Sequence, residues 1–88
     1  MISISYMDLG KYIRVYDDTP EGRKTKIYHL CNQQNELIHL GKIKWYGAWR
    51  QYCFFPEDEM VFNKTCLKDI MCFLERLNRK EVSEWQNN

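Results

Sequence analysis

The hydrophobic period of this chain changes once, and that change restricts the folds open to it. Between Lys11 and Phe55 short runs of β-branched and aromatic residues are separated by turn residues, and the first of them, Lys11 to Asp17, alternates Ile13 and Val15 with Tyr12, Arg14 and Tyr16, the two-residue repeat of a half-buried strand. Cys66, Leu67, Ile70, Met71, Phe73, Leu74 and Leu77 then recur at steps of three and four, the repeat of an amphipathic helix. A run of strands followed by a helix points to an α+β fold, with the helix laid across one face of an antiparallel sheet. At 88 residues the chain has material for one core, so residues 1–88 are read as a single domain.

Turn chemistry divides the strand region. Lys11 to Asp17 is the first strand, and Asp18-Thr19-Pro20-Glu21-Gly22 breaks it with a residue of fixed φ and one free to take positive φ. Lys24 to Cys31 follows as the second strand, Asn32 to Asn35 as a polar turn, and Glu36 to Trp45 as the third, with Gly41 marking a bulge. Gly47-Ala48 reverses the chain into a fourth strand, Arg50 to Phe55, ended by Pro56 and Glu57-Asp58-Glu59. The expected order is ββββα. Met1 to Tyr6 also alternates, so residues 1–10 are read either as a short extra edge strand or as a flexible leader before an internal start at Met7. Asn63 or Thr65 caps the helix, and residues 81–88 form a polar tail that either frays or returns Trp85 to the domain.

A reversal centred on Gly47-Ala48 places Tyr46 opposite Trp49, Trp45 opposite Arg50 and Ile43 opposite Tyr52. Ile43, Trp45, Tyr52 and Phe54 then join Ile13, Val15, Ile27, His29 and Cys31 on the helix-facing side. Each large side chain buried there contributes about 1.5–3 kcal/mol, so truncating Phe54 or Leu74 is expected to be costly. The opposite face carries Tyr12, Arg14, Tyr16, Lys24, Lys26, Tyr28, Lys42, Lys44, Tyr46, Trp49 and Gln51, a basic and aromatic surface.

Several function classes receive no support from the residues. The net charge of +1 offers no bulk attraction for nucleic acid, and no apolar run approaches the roughly 20 residues of a membrane span. The N-terminus lacks a basic region followed by an apolar run, which places the four cysteines, Cys31, Cys53, Cys66 and Cys72, in a reduced, cytoplasmic setting as structural thiols. The closest metal-type spacing is His29-x-Cys31, too sparse for a zinc set, so neither metal nor cofactor is expected. His29 and His39 fall in expected strands with no nucleophile or carboxylate beside them in a recognisable motif, and the chain is read as non-enzymatic.

Binding is the reading that remains. Trp45 to Pro56, W-Y-G-A-W-R-Q-Y-C-F-F-P, holds two of the three tryptophans and two of the four phenylalanines. Trp, Tyr and Arg dominate protein-binding hot spots, so Tyr46, Trp49 and Arg50 are the expected anchors for a host protein, surrounded by Lys42, Lys44 and Gln51. The alternative is single-stranded nucleic acid on the open face through Tyr12, Arg14, Lys26, Tyr28, Lys42 and Lys44, where rings stack bases and cations meet phosphates. A monomer and a homodimer joined at open sheet edges are both compatible with the sequence.

The run G-K-I-K-W-Y-G-A-W-R-Q-Y-C-F-F-P followed by N-K-T-C-L-K-D-I resembles short proteins of phages and integrated mobile elements in gut-type bacteria. The resemblance covers roughly Tyr28 to Leu77, and its core is W-Y-G-x-W-R-x-Y-x-F-x-P with C-L-x-D-I after it. Ala48 stands where that family has proline, which implies a looser hairpin tip. The resemblance implies a mobile-element accessory protein in a bacterial host. By association, small proteins of this origin inhibit host defences such as CRISPR nucleases by occupying a protein surface.

Overall fold

A computed structural model describes residues 6–86, with side chains described through Arg79. Five strands, β1 (Tyr6–Leu9), β2 (Ile13–Asp17), β3 (Ile27–Asn32), β4 (His39–Tyr46) and β5 (Gln51–Pro56), precede one helix, α1 (Lys64–Gln86). The strands form an antiparallel meander in the order β1-β2-β3-β4-β5. The α+β expectation therefore holds, with the extra N-terminal strand present at Tyr6–Leu9. The expected strand at Met1 to Tyr6 otherwise lies outside the described residues, as does the placement of the Trp85 side chain.

Alternation in I-R-V-Y makes β2 a strand with Ile13 and Val15 buried and Arg14 and Tyr16 turned away. Gly10 closes the preceding turn at φ 63, and an added β-carbon there would run into the Asp69 carboxylate of α1. The turn after β3 uses Asx chemistry: Asn32 Oδ1 accepts the N–H groups of Gln34 and Asn35 at 2.8 and 3.2 Å. β4 begins at His39, three residues later than the sequence suggested, and this leaves Glu36 in the loop to reach across to β2.

The register corrects one strand. Val15 pairs with Leu30 and Asp17 with Tyr28, so Tyr28 and Leu30 face the helix while Ile27, His29 and Cys31 lie on the open face. The sequence reading had these sets exchanged, because I-Y-H-L-C is apolar at both parities. The loop between β2 and β3 decides the matter: Thr19 Oγ1 accepts the Ile27 N–H at 2.9 Å and donates to the Ile27 carbonyl at 3.3 Å. The β4–β5 hairpin also differs, since Trp45 pairs with Tyr52 and Ile43 with Phe54, a shift of two residues. A shift of two preserves the face of each side chain, whereas a shift of one inverts it. Ile43, Trp45, Tyr52 and Phe54 thus face the helix as expected.

The core joins Leu9, Ile13, Val15, Leu30, Leu40, Ile43 and Tyr52 of the sheet to Ile70 and Phe73 of α1. Tyr28 meets Phe73 edge-on at 5.2 Å, and Phe54 meets Phe62 at 5.4 Å. Phe54 and Leu74 are half-buried, so the largest truncation costs shift to Phe73 and Ile70. Leu67 and Met71, counted with the apolar stripe from sequence, point outward, while Asp69, counted with the wet face, is half-buried with Oδ2 unpartnered among the described residues. Asn63 is the N-cap: its Oδ1 accepts the Cys66 N–H at 2.8 Å. The helix runs on to Gln86, past the point where a polar tail was expected to begin. No described helix is long and apolar enough to cross a membrane.

One polar contact fixes α1 to the sheet edge. β5 is an edge strand, and Asn78 offers it both halves of an amide: its Oδ1 accepts the Tyr52 N–H at 2.6 Å and its Nδ2 donates to the Tyr52 carbonyl at 3.2 Å. The side chain substitutes for a sixth strand at that residue. Replacing Asn78 by alanine strands both half-buried groups and should lower unfolding free energy by about 1–3 kcal/mol in a denaturant titration.

Candidate functional site at the hairpin tip

The β4–β5 connection spans Gly47 to Arg50 and is held by two hydrogen bonds. Trp49 N–H donates to the Tyr46 carbonyl and Arg50 N–H to the Gly47 carbonyl, each at 3.2 Å. Arg50 closes the turn at φ 53, a left-handed conformation that a non-glycine residue adopts at a cost. The tighter reversal expected at Gly47-Ala48 is replaced by this four-residue turn, so Arg50, expected to open the fourth strand, lies in the loop with Trp49, which is 66% exposed.

A line of rings continues from the tip along the open face. Trp49 meets Tyr46 at 5.1 Å and 88°, Tyr46 meets Phe55 at 5.9 Å and 75°, and the Lys44 ammonium lies 4.8 Å above the Phe55 ring. Edge-to-face contacts of this kind hold aromatic rings in fixed relative orientation. Gln51 is exposed opposite Tyr46, and Lys42 is exposed opposite Phe55. The expected partner-binding residues therefore lie along one hairpin, with Trp49 and Arg50 in its turn, Tyr46 and Gln51 beside the turn, and Lys44 and Lys42 two and four residues further down β4. Phe55 belongs with them and was not singled out from sequence, although its parity with Gln51 places it on that face.

The far half of the open face has a different character. Arg14 Nε donates to Asp8 Oδ1 at 2.8 Å, and its terminal nitrogens reach Glu36 Oε2 at 2.7 Å and Asp8 Oδ2 at 3.3 Å. Its guanidinium also stacks 4.2 Å above the Tyr6 ring. Tyr16 donates to the same Glu36 oxygen at 2.6 Å. Arg14 is thus neutralised by two carboxylates, and the surface there is not basic. Hydrogen bonds from Arg14 to Asp8, and from Tyr16 and Arg14 to Glu36, hold both carboxyls below the usual range, while the bond to Glu36 pushes the Tyr16 hydroxyl up.

The residues grouped for nucleic acid are dispersed. Tyr28 faces α1, which corrects its expected place on the open surface, and burial pushes its hydroxyl up. Lys26 pairs with Asp17 at 3.4 Å, and its backbone N–H donates to the Tyr52 hydroxyl at 3.0 Å. Tyr12 is exposed in the β1–β2 turn, away from Lys42 and Lys44 on β4. All four cysteines are free thiols; Cys31 is buried, Cys53 and Cys66 are half-buried, and Cys72 is exposed, which departs from the expectation that all pack inside. Burial pushes the Cys31 and Cys53 thiols up, away from the reactive thiolate.

The Arg14 network has a measurable signature. Depressed carboxyl values mean that its contribution to stability is present above the ordinary carboxylate range and is lost as acid titrates Asp8 and Glu36. In Arg14→Ala, the Asp8 midpoint, and to a lesser extent that of Glu36, should rise toward the usual value of about 4 in a carboxyl NMR titration.

Comparisons with known proteins place the chain among phage proteins. No family model matches it, and no solved structure matches it. An uncharacterised 9.3 kDa protein of Acholeplasma phage L2 is 34% identical over 56 residues, which are 64% of this chain and 70% of the relative. The chain belongs to the family of small phage proteins that includes this Acholeplasma phage L2 protein.

Proposed function

We propose that this protein is a non-enzymatic phage or mobile-element accessory protein that binds a host protein through the β4–β5 tip. The exposure of Trp49 carries this reading: a large ring, 66% exposed, meets the Tyr46 ring, which in turn meets Phe55 beneath the Lys44 ammonium. A side chain already fixed before binding loses little rotamer entropy when a partner covers it, and a large aromatic surface then supplies the contact. Inhibition of a host defence system, of which a CRISPR nuclease is one type, is the role suggested by the mobile-element resemblance, and by that association alone.

Substitutions at the tip separate binding from folding. Arg50→Gly removes the side chain at a left-handed position where glycine is unstrained, and Trp49→Ala removes a residue outside the core. Both variants should unfold within about 0.5–1 kcal/mol of the parent. Both should lose capture of the host partner from lysate by roughly tenfold or more, the scale of a hot-spot truncation. Unchanged capture with the fold intact would refute the assignment.

A second reading keeps the nucleic-acid alternative, favoured by Lys42 and Lys44 beside the Phe55 and Tyr46 rings. The packing of Tyr28 against α1 and the pairing of Arg14 with Asp8 and Glu36 argue against it, since they withdraw a ring and a cation from the open face. No mobility shift of single-stranded oligonucleotides is expected at low salt. A shift that weakens on neutralising Lys42 and Lys44 would favour the nucleic-acid reading instead.

A further inference from the structure

The bulge between β3 and β4 moves a side chain from one face of the sheet to the other. His29 pairs with Lys42 and Leu30 with Gly41, but Cys31 then pairs with His39, leaving Leu40 as the extra residue. An unbulged ladder would set Leu40 opposite Cys31 on the open face and His39 opposite Asn32 on the helix side. With the bulge, Leu40 enters the core and His39 stands on the open face beside His29. Gly41 makes this attainable: its φ is 152, and an added β-carbon would lie 2.5 Å from the Phe55 carbonyl oxygen.

The two imidazoles converge. His29 Nε2 and His39 Nδ1 lie 2.5 Å apart, with ring centroids separated by 4.6 Å and planes inclined at 65°. Two ring nitrogens aimed at one point can share a hydrogen or can hold a metal ion between them. We propose that His29 and His39 form a two-histidine site for a divalent transition cation, with Zn²⁺, Ni²⁺ and Cu²⁺ as the matching class. Imidazole suits these ions, and they accept an incomplete protein set with water in the remaining positions.

The chemistry fits with a small adjustment. Metal–nitrogen bonds of about 2.0–2.1 Å at a near-tetrahedral angle hold two nitrogens roughly 3.3 Å apart, so the pair must open by somewhat under 1 Å. His39 is exposed, and rotation of its side chain supplies that movement. In the neutral pair one facing nitrogen carries the hydrogen and the other accepts it. Metal binding transfers that hydrogen to the far nitrogen of the same ring, so both facing lone pairs become ligands and no electron or net charge is exchanged. Among the described residues no third histidine, cysteine or carboxylate completes a larger set. Lys42 stands opposite His29 and opposes a bound cation, while Asp18 and Glu57 act on His29 in the favourable sense.

Calorimetric titration of the full chain with ZnCl₂, repeated with NiCl₂, tests the site. One ion per chain is expected. Loss of a ligand should cost at least as much as loss of a ligand's hydrogen-bond partner, about tenfold or more in affinity, for His29→Ala and His39→Ala separately. Both residues lie outside the core, and circular dichroism checks that the variants fold. Lys42→Ala should tighten binding severalfold, and Cys72→Ser, which removes the exposed thiol, should leave it unchanged. Absence of binding by the parent chain at millimolar metal, or parent-like binding by either histidine variant, would overturn the proposal, as would its loss in Cys72→Ser.

Discussion

The partition of this sheet into two faces depends on a small polar clamp. Thr19 bonds both backbone groups of Ile27, and Asp18 N–H adds a bond to the Ile27 carbonyl at 2.8 Å. Together they close the β2–β3 loop so that Asp17 lies opposite Tyr28. Because strand side chains alternate, that pairing decides that Leu30 and Tyr28 meet the helix and that His29 and Cys31 do not. A slip of one residue would turn Leu30, which has no exposed surface, into water and would carry a histidine into the core. The core, the open face and the histidine pair all follow from this one register.

With that register set, fold and candidate site occupy different surfaces. α1 covers one face through Ile70 and Phe73 and closes the β5 edge through Asn78. The opposite face carries no helix among the described residues, the loop before β4 reaches over part of it at Glu36, and it is itself divided. At one end an arginine is consumed by Asp8 and Glu36; at the other, cations and rings project from the β4–β5 hairpin without a carboxylate bonded to Lys42 or Lys44 among the described residues. Binding energy concentrated at the second end would leave the core untouched, which is why tip substitutions can separate recognition from stability.

The large divisions of the molecule were legible in the sequence because they rest on period. Alternation in Lys11 to Asp17 and the turn residues between the later runs gave four of the strands, the change to three- and four-residue steps gave the helix, and Asn63 marked its start. Gly41 signalled the bulge correctly. The tip residues were also legible, since an error of two in the hairpin register leaves each face unchanged. What failed was β3, where apolar residues stand at both parities and the deciding contact comes from Thr19, eight positions away. The neutralisation of Arg14 was equally hidden, because Glu36 lies 22 residues from it and was assigned to a strand. Neither contact leaves a local pattern. The convergence of His29 and His39 likewise required the bulge and the corrected register together.

The faces can be read directly by proton NMR. Nuclear Overhauser contacts should connect the Tyr28 ring to Phe73 of α1, and the His29 imidazole to that of His39, with none from His29 to the helix. Contacts from His29 or Cys31 to Phe73, with Tyr28 instead close to the Lys42 or Lys44 side chains, would contradict the register and with it the division between folding surface and binding surface.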